Sequence, residues 1–291
     1  MYVPAELVYL GPVGLDRSAP IGYSTSSGLA CGEDADGAIE RGLLELLERD
    51  AFMIVWSNRL SLPRLMATGS AWLEHDAARF SATGLRHAAI DLSAFHDLPT
   101  VLGVVRAPDC VRGAVGVGAA SAATIDEAYW KALDEAFAAR SAGAKLSLLD
   151  SGATARPALG RPRSFEDHIR HYAHHGAAAA TAFLDASEVT RDAGSVGPLE
   201  GRTCADRISA LCARVELAGA SAYAIDVTSP DVADLGLTVT RVLAPELCAL
   251  DVDHGARFLG GRRLYDAAAK AGLSSCSLQE DDINPDPHPF P

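Results

Sequence analysis

Positive charge is what this chain has least of: 25 Lys and Arg stand against 38 Asp and Glu, leaving a net charge of −13. Nucleic acid and anionic membranes both select basic grooves or patches, so a partner of either kind is not expected. No apolar run is long enough to cross a bilayer. The opening stretch, MYVPAELVYLGPVGLD, lacks the basic segment and long apolar run of a secretory signal. Aromatics make up only 6% of the residues. Six cysteines are scattered with no CxxC pair and no histidine at ligand spacing, which argues against a zinc site. They read as buried thiols in a reducing cytoplasm. There is no GxxxxGK[ST] loop, so any nucleotide site is not a P-loop, and there is no G-x-S-x-G elbow. What remains is ordinary globular composition, 48% hydrophobic and 22% charged, over 291 residues without a repeat. That length holds one large domain or two small ones with ample core.

Along the chain a Gly/Ser-rich segment at 22–32 leads into a helical pattern from about 36 to 56. A loop around Pro63 and a helix near 71–80 follow, then strand-like runs at 87–92 and 100–106, the second strongly β-branched. Residues 115–120 read as a further strand, and Thr124-Ile-Asp-Glu127 as a capping box opening a helix to about 142. Beyond a loop at 153–163 come helices at 165–174 and 204–217 and strands at 221–227 and 237–244. Helices and strands are mixed without strict βαβ alternation, which predicts an α+β fold. We expect a single domain over residues 1–291, short at its N-terminal side and ending in a tail at 285–291.

That tail is the most informative segment. Pro287, Pro289 and Pro291 each fix φ and remove a backbone donor, so the end of the chain is neither helix nor central strand. An extended, polyproline-like run with Phe290 available for packing is expected, and on composition alone a loose proline-rich end is the competing reading.

Two helices carry clustered charge. Glu45, Glu48 and Arg49 share one face of the first helix, since residues three and four apart are neighbours, while the leucines between them turn to the core. Two carboxylates on one turn suit a divalent ion, and an arginine beside them suits a phosphate. A solvated ion-pair face has the same sequence. The second helix brings Glu135 and Arg140, with Glu127, Lys131 and Asp134. The run Gly113-Ala-Val-Gly116-Val-Gly118 reads as a closely packed strand, and His168, His171, His174 and His175 as surface groups on one helix.

The segment Ser24-Thr-Ser-Ser-Gly28-Leu-Ala-Cys-Gly32, then Ala38-Ile, then Gly42-Leu-Leu-Glu45-Leu-Leu-Glu48-Arg49-Asp50-Ala51, resembles the signature of YcaO-domain proteins. Ala132-Leu-Asp-Glu135 with Arg140, Asp226-Val-Thr228-Ser-Pro230-Asp231, Gly236-Leu-Thr-Val-Thr-Arg241-Val and Gly260-Gly-Arg-Arg263-Leu are similar to later segments in the same order, and the proline tail closes the match. The resemblance runs over roughly 18–291. It implies a YcaO-like fold, mixed sheets packed with helices, and an ATP-dependent cyclodehydratase acting on ribosomally made precursor peptides. In such enzymes a Cys, Ser or Thr side chain attacks the preceding amide carbonyl. The oxyanion is phosphorylated by ATP, and phosphate departs to leave a thiazoline or oxazoline.

The same resemblance implies that Glu45, Glu48 and Glu135 bind Mg²⁺ and that Arg49, Arg140, Arg241 and Arg41 meet ATP phosphates. The tail prolines would order the active site. A leader-binding partner related to ubiquitin-activating enzymes, or a YcaO paralogue, would act in trans, and a homodimer is the expected assembly. Deleting 287–291 is expected to reduce ring formation far more than stability.

Three departures from the family pattern stand out. Arg41 occupies a position where the family often has Ser. Ala138 stands where a Gln or Glu ligand is usual, three residues after Glu135. The family usually carries a longer N-terminal portion, for which Arg17 and Ser18 are candidate stand-ins. A degenerate, non-catalytic YcaO subunit and a thioamide- or amidine-forming enzyme are therefore the alternatives.

Overall fold

The computed structural model describes residues 2–11, 24–66, 80, 83–109, 111–151 and 161–291. Arg17, Ser18, Cys110 and nearly all of the helix expected near 71–80 lie outside them. Two compact units are present, one made of Met1–Asp50 and Glu200–Leu250, the other of Ala51–Leu199 and Asp251–Pro291. Helices and strands are mixed in both, and the fold is α+β as expected.

In the first unit β1 (Leu29–Gly32), β8 (Thr238–Leu243) and β7 (Tyr223–Asp226) form an antiparallel sheet in the order β1-β8-β7. The glycine- and serine-rich run thus contains a strand its composition hides. Gly28 makes this possible: it sits at φ +79, and an added Cβ would lie 2.2 Å from the Val242 carbonyl oxygen. Its own carbonyl accepts the Val242 N–H at 2.7 Å. The helix α2 (Ala35–Ser57) begins here, with Leu43 and Leu47 buried as its periodicity predicts. Gly42 lets α2 close on β8, where any Cβ would stand 2.6 Å from Val242 Cγ2. The helix at Cys204–Leu217 starts at a reciprocal cap between Thr203 and Asp206, and its Arg207 grips Glu40 of α2 with two bonds of 2.6 and 2.8 Å.

In the second unit five strands follow the order β5-β4-β3-β2-β6: Val115–Ser121, Thr100–Arg106, Arg86–Asp91, Arg64–Met66 and Thr190–Asp192. All neighbours are antiparallel except β2 and β6. Three-residue β2 and β6 carry too little periodicity to be read from sequence. The long helix α3 (Ile125–Ser151) packs on β4 and β5. It outruns the expected end at 142 because Gly143 is not a cap. Its missing side chain admits Ala173, which a Cβ would approach to 3.2 Å. Two further helices, α4 (Phe165–Tyr172) and α5 (His175–Ala178), replace the single one expected at 165–174. A short helix at Arg263–Lys270 precedes the tail.

Two expectations, for the cysteines and for His168, are corrected by burial. Of the described cysteines only Cys248 is buried, while Cys31 and Cys276 are exposed, because they sit on an edge strand and in a surface turn. His168 is fully buried rather than on the surface. Phe290 is among the largest fully buried side chains, so the end of the chain is part of the core of its unit.

Candidate active site

Glu45, Glu48 and Arg49 do come together on α2. Arg49 donates to Glu48 Oε1 at 2.6 Å and reaches Glu45 Oε1 at 3.4 Å. Side-chain exposures of 10% for Glu48, 14% for Arg49 and 24% for Glu45 exclude a solvated ion-pair face. Glu45 is also anchored from the strand side: its Oε2 accepts the Gly28 N–H at 3.1 Å. The left-handed backbone of Gly28 therefore serves both the close approach to β8 and the aiming of a carboxylate. Two hard oxygen donors share a guanidinium, so the pair already holds a cation. Mg²⁺ is commonly held by one or two carboxylates plus substrate phosphate oxygens rather than by a full protein cage, and this donor set fits that habit. Among the described residues, no group of three or more His, Cys, Asp or Glu is arranged as a complete metal cage.

The other predicted residues of this unit have structural partners. Arg41 donates to the Cys31 carbonyl. Arg241 is buried and donates to the carbonyls of Leu7 at 2.9 Å and Thr25 at 2.7 Å, tying the N-terminal segment to β8. Burial lowers the affinity of this guanidinium for its proton, against the attraction of Glu45.

In the second unit Glu135 Oε2 accepts the Ala119 N–H at 2.9 Å, the same device as at Glu45: one backbone amide fixing one carboxylate oxygen. The glycine-rich strand permits it. A Cβ on Gly118 would come within 2.6 Å of Glu135 Cβ, and one on Gly116 within 2.6 Å of Arg140 Cβ. Arg140 donates to the carbonyls of Gly113, at 3.1 Å, and Arg112, and burial lowers its pKa. Ala138 lies on the exposed side of α3.

The tail is gripped through its carbonyls, which follows from its chemistry: prolines offer no N–H, so the oxygens are the handle. Trp56 Nε1 donates to Asp286 O at 3.1 Å, Tyr172 Oη to Pro287 O, and His168 Nδ1 faces His288 O at 2.6 Å. Phe290 packs on Phe52 with ring centroids 4.8 Å apart. Pro287 and Pro289 are buried and Pro291 is half-buried. The residues Trp56, His168 and Tyr172 that receive the tail escaped the sequence reading. The only signal was the i, i+4 placement of His168 and Tyr172 on one helix face.

A comparison with curated proteins finds no match. Among solved structures, a heterocyclase in complex with substrate and cofactor superposes at TM-score 0.79 with 23% identity, covering 99% of this chain and 36% of that one. The heterocyclase TruD gives TM-score 0.75, 23% identity and coverages of 99% and 38%. YcaO from Methanopyrus kandleri, bound with AMPPCP and Mg²⁺, gives 0.53, 19%, 80% and 57%. The chain thus spans little more than a third of the length of the two heterocyclases. A family model described as "YcaO cyclodehydratase, ATP-ad Mg2+-binding" matches residues 1–248. The chain belongs to this family of ATP- and Mg²⁺-binding YcaO proteins.

Proposed function

We propose that the chain is an ATP-dependent peptide cyclodehydratase that forms thiazolines or oxazolines from Cys, Ser or Thr in a ribosomal precursor peptide. The observation that carries this reading is the inward-held Glu45–Glu48–Arg49 cluster. Two carboxylates on one helix face, held inward around one guanidinium, set hard oxygen donors and a cation side by side, the combination that suits Mg²⁺ and a phosphate. Glu45, Glu48 and Glu135 would hold Mg²⁺, which when bound would offset the charge of the triphosphate. Arg49, Arg140, Arg241 and Arg41 are the cationic side chains available to phosphate oxygens. Arg140 and Arg241 already hold backbone carbonyls, so their contribution would come through the segments they fix as well as by charge.

The reaction needs activation because an amide oxygen is a poor leaving group. The side-chain thiol or hydroxyl adds to the preceding carbonyl carbon and gives up its proton. The resulting oxyanion takes the terminal phosphoryl group of ATP, releasing ADP. Loss of the amide proton and of phosphate then closes the C=N bond. The part of the chain itself is to orient the peptide and neutralise the developing charge, and Pro287, Pro289 and Pro291 would order the site. The helix that carries Glu45 and Glu48 also carries Phe52 and Trp56, against which the tail packs, and this supports the assignment. A leader-binding protein related to ubiquitin-activating enzymes, or a YcaO paralogue, and a homodimeric assembly complete the proposal.

A second reading, a non-catalytic subunit, is favoured by Ala138, whose exposed methyl cannot replace an oxygen ligand. The two are separated by incubating the chain, ATP and Mg²⁺ with a pool of synthetic peptides rich in Cys, Ser and Thr. Mass spectrometry should record one water lost per ring, and none with Glu48→Gln. Ring formation undiminished in that variant would sink the metal assignment, while no ring with either chain favours the subunit reading.

A further inference from the structure

The hydrogen bonds around the tail specify protonation states. His288 Nδ1 receives the Phe290 N–H at 3.2 Å, so that nitrogen carries no proton. Its Nε2 lies 2.5 Å from the Asp251 carbonyl oxygen and must carry one. His288 is therefore the neutral Nε2–H tautomer when the tail is seated. His168 differs. Its Nδ1 faces His288 O at 2.6 Å and its Nε2 faces Val252 O at 3.0 Å. Both partners are backbone carbonyl oxygens, which only accept. The two rings lie parallel, 4.0 Å apart with planes 10° from one another, and both residues are buried. Two like charges at that separation in a low-dielectric interior repel strongly, so the stack has room for one positive charge and not two.

We propose that His168 and His288 form a proton-sensitive lock that positions the C-terminal tail, closed while His288 Nδ1 accepts the Phe290 N–H and opened by a proton on that nitrogen. That proton would remove the acceptor for the Phe290 N–H and place a positive charge in the buried stack. The remaining grip on the tail includes the bonds from Trp56 to Asp286 O and from Tyr172 to Pro287 O and the more exposed Arg59–Asp286 pair.

From the 251–257 segment, Asp251 is buried and its carboxyl is held above the usual carboxylate range by desolvation, opposed by Arg257 and His168. Its neighbour Asp253 is occupied with Arg163 and the Gly255 N–H. Arg257, Arg161 and His168 add positive field at His254, which burial already holds below the ordinary imidazole range. On α4, burial and His168 likewise lower His171, with Asp286 acting in the opposite sense. Burial, with Asp286 adding to it, keeps the Tyr172 phenol protonated as a donor. In the tail, Asp286 pairs with Arg59 at 3.2 Å. From α2, the ring of Phe52 meets His288 edge-on and brings no charge. The device works on docking alone. Its consequence for ring formation rests on the function proposed above.

The test is fluorine NMR of the full chain with 4-fluorophenylalanine at position 290, with the far-UV circular dichroism followed in parallel. The single buried resonance at pH about 8 should give way to a solvent-exposed one by pH about 5, with the fold intact, as expected for a histidine switch. The docking constant should fall about tenfold per pH unit once the seated ring resists its proton. His288→Gln, which has no titratable ring, should keep the buried resonance across the range, and His288→Asn serves as the second neutral variant. A wild-type tail that stays seated at pH about 5 overturns the proposal. So does release of both neutral variants at the wild-type midpoint, or failure of both to seat at pH about 8. The readout needs neither ATP nor peptide, so it fails or succeeds separately from the cyclodehydratase reading.

Discussion

Replacing Phe290 with alanine removes a ring that is fully buried against Phe52 at a centroid distance of 4.8 Å. Transfer of a phenyl side chain from water is worth about 1.5–3 kcal/mol. An aromatic pair in good geometry adds about 0.5–1.5 kcal/mol. A loss near 3 kcal/mol is therefore expected, which is roughly a 150-fold weakening of tail seating. The tail bonds made by Trp56, Tyr172 and His168 depend on that seating, each worth about 1 kcal/mol net, so they limit how far the ring's loss can be absorbed locally. Urea unfolding followed by far-UV circular dichroism reads the effect. Phe290→Ala should lower the midpoint, with a smaller denaturant slope if the tail is already detached before the rest unfolds. A change below about 1 kcal/mol with the slope unaltered would refute the reasoning, because a ring in that setting cannot be removed so lightly. The expectation that losing the tail spares stability does not fit a terminal segment buried in this way.

Gly118→Ala should destabilise by about 1–3 kcal/mol, since its methyl would stand 2.6 Å from Ala136 N and from Glu135 Cβ and push α3 off its strand. Gly176→Ala, in an open helical position, should be neutral or stabilising by a few tenths, and thermal melts compare the two. Cys204 should resist thiol reagents at pH 8: burial and its bond to Glu40 push its pKa up to about 11, leaving a thiolate fraction on the order of one in a thousand. Exposed Cys31 and Cys276 should react first, and Glu40→Gln should speed Cys204, as mass-resolved labelling would record.

The long helices were legible because their apolar spacing is regular, and β4 and the helix at Cys204–Leu217 appear with the very limits expected of them. The acidic face of α2 was legible for the same reason: Glu45, Glu48 and Arg49 share a face in any helix. What was not legible depends on partners distant in sequence. Leu29–Gly32 is a strand only because Gly28 meets Val242 across the sheet, and local composition argues for a loop. Gly143 looks like a helix stop until Ala173 is placed beside it. His168 reads as a surface histidine because it stands among charged residues, Glu166, Asp167 and Arg170, on a short helix. Its partners are the carbonyls of Val252 and His288, and backbone oxygens leave no trace in a sequence. Arg241 was legible only through the family resemblance, and its hold on Leu7 and Thr25 was not.

Calorimetric titration of the folded chain with Mg²⁺ and a non-hydrolysable ATP analogue tests most directly whether the carboxylates of α2 serve a nucleotide. Binding in the micromolar range, about −8 kcal/mol, is expected and should disappear in Glu45→Gln while the fold is retained. No heat of binding from the well-folded chain, or binding that Glu45→Gln leaves unchanged, would contradict it.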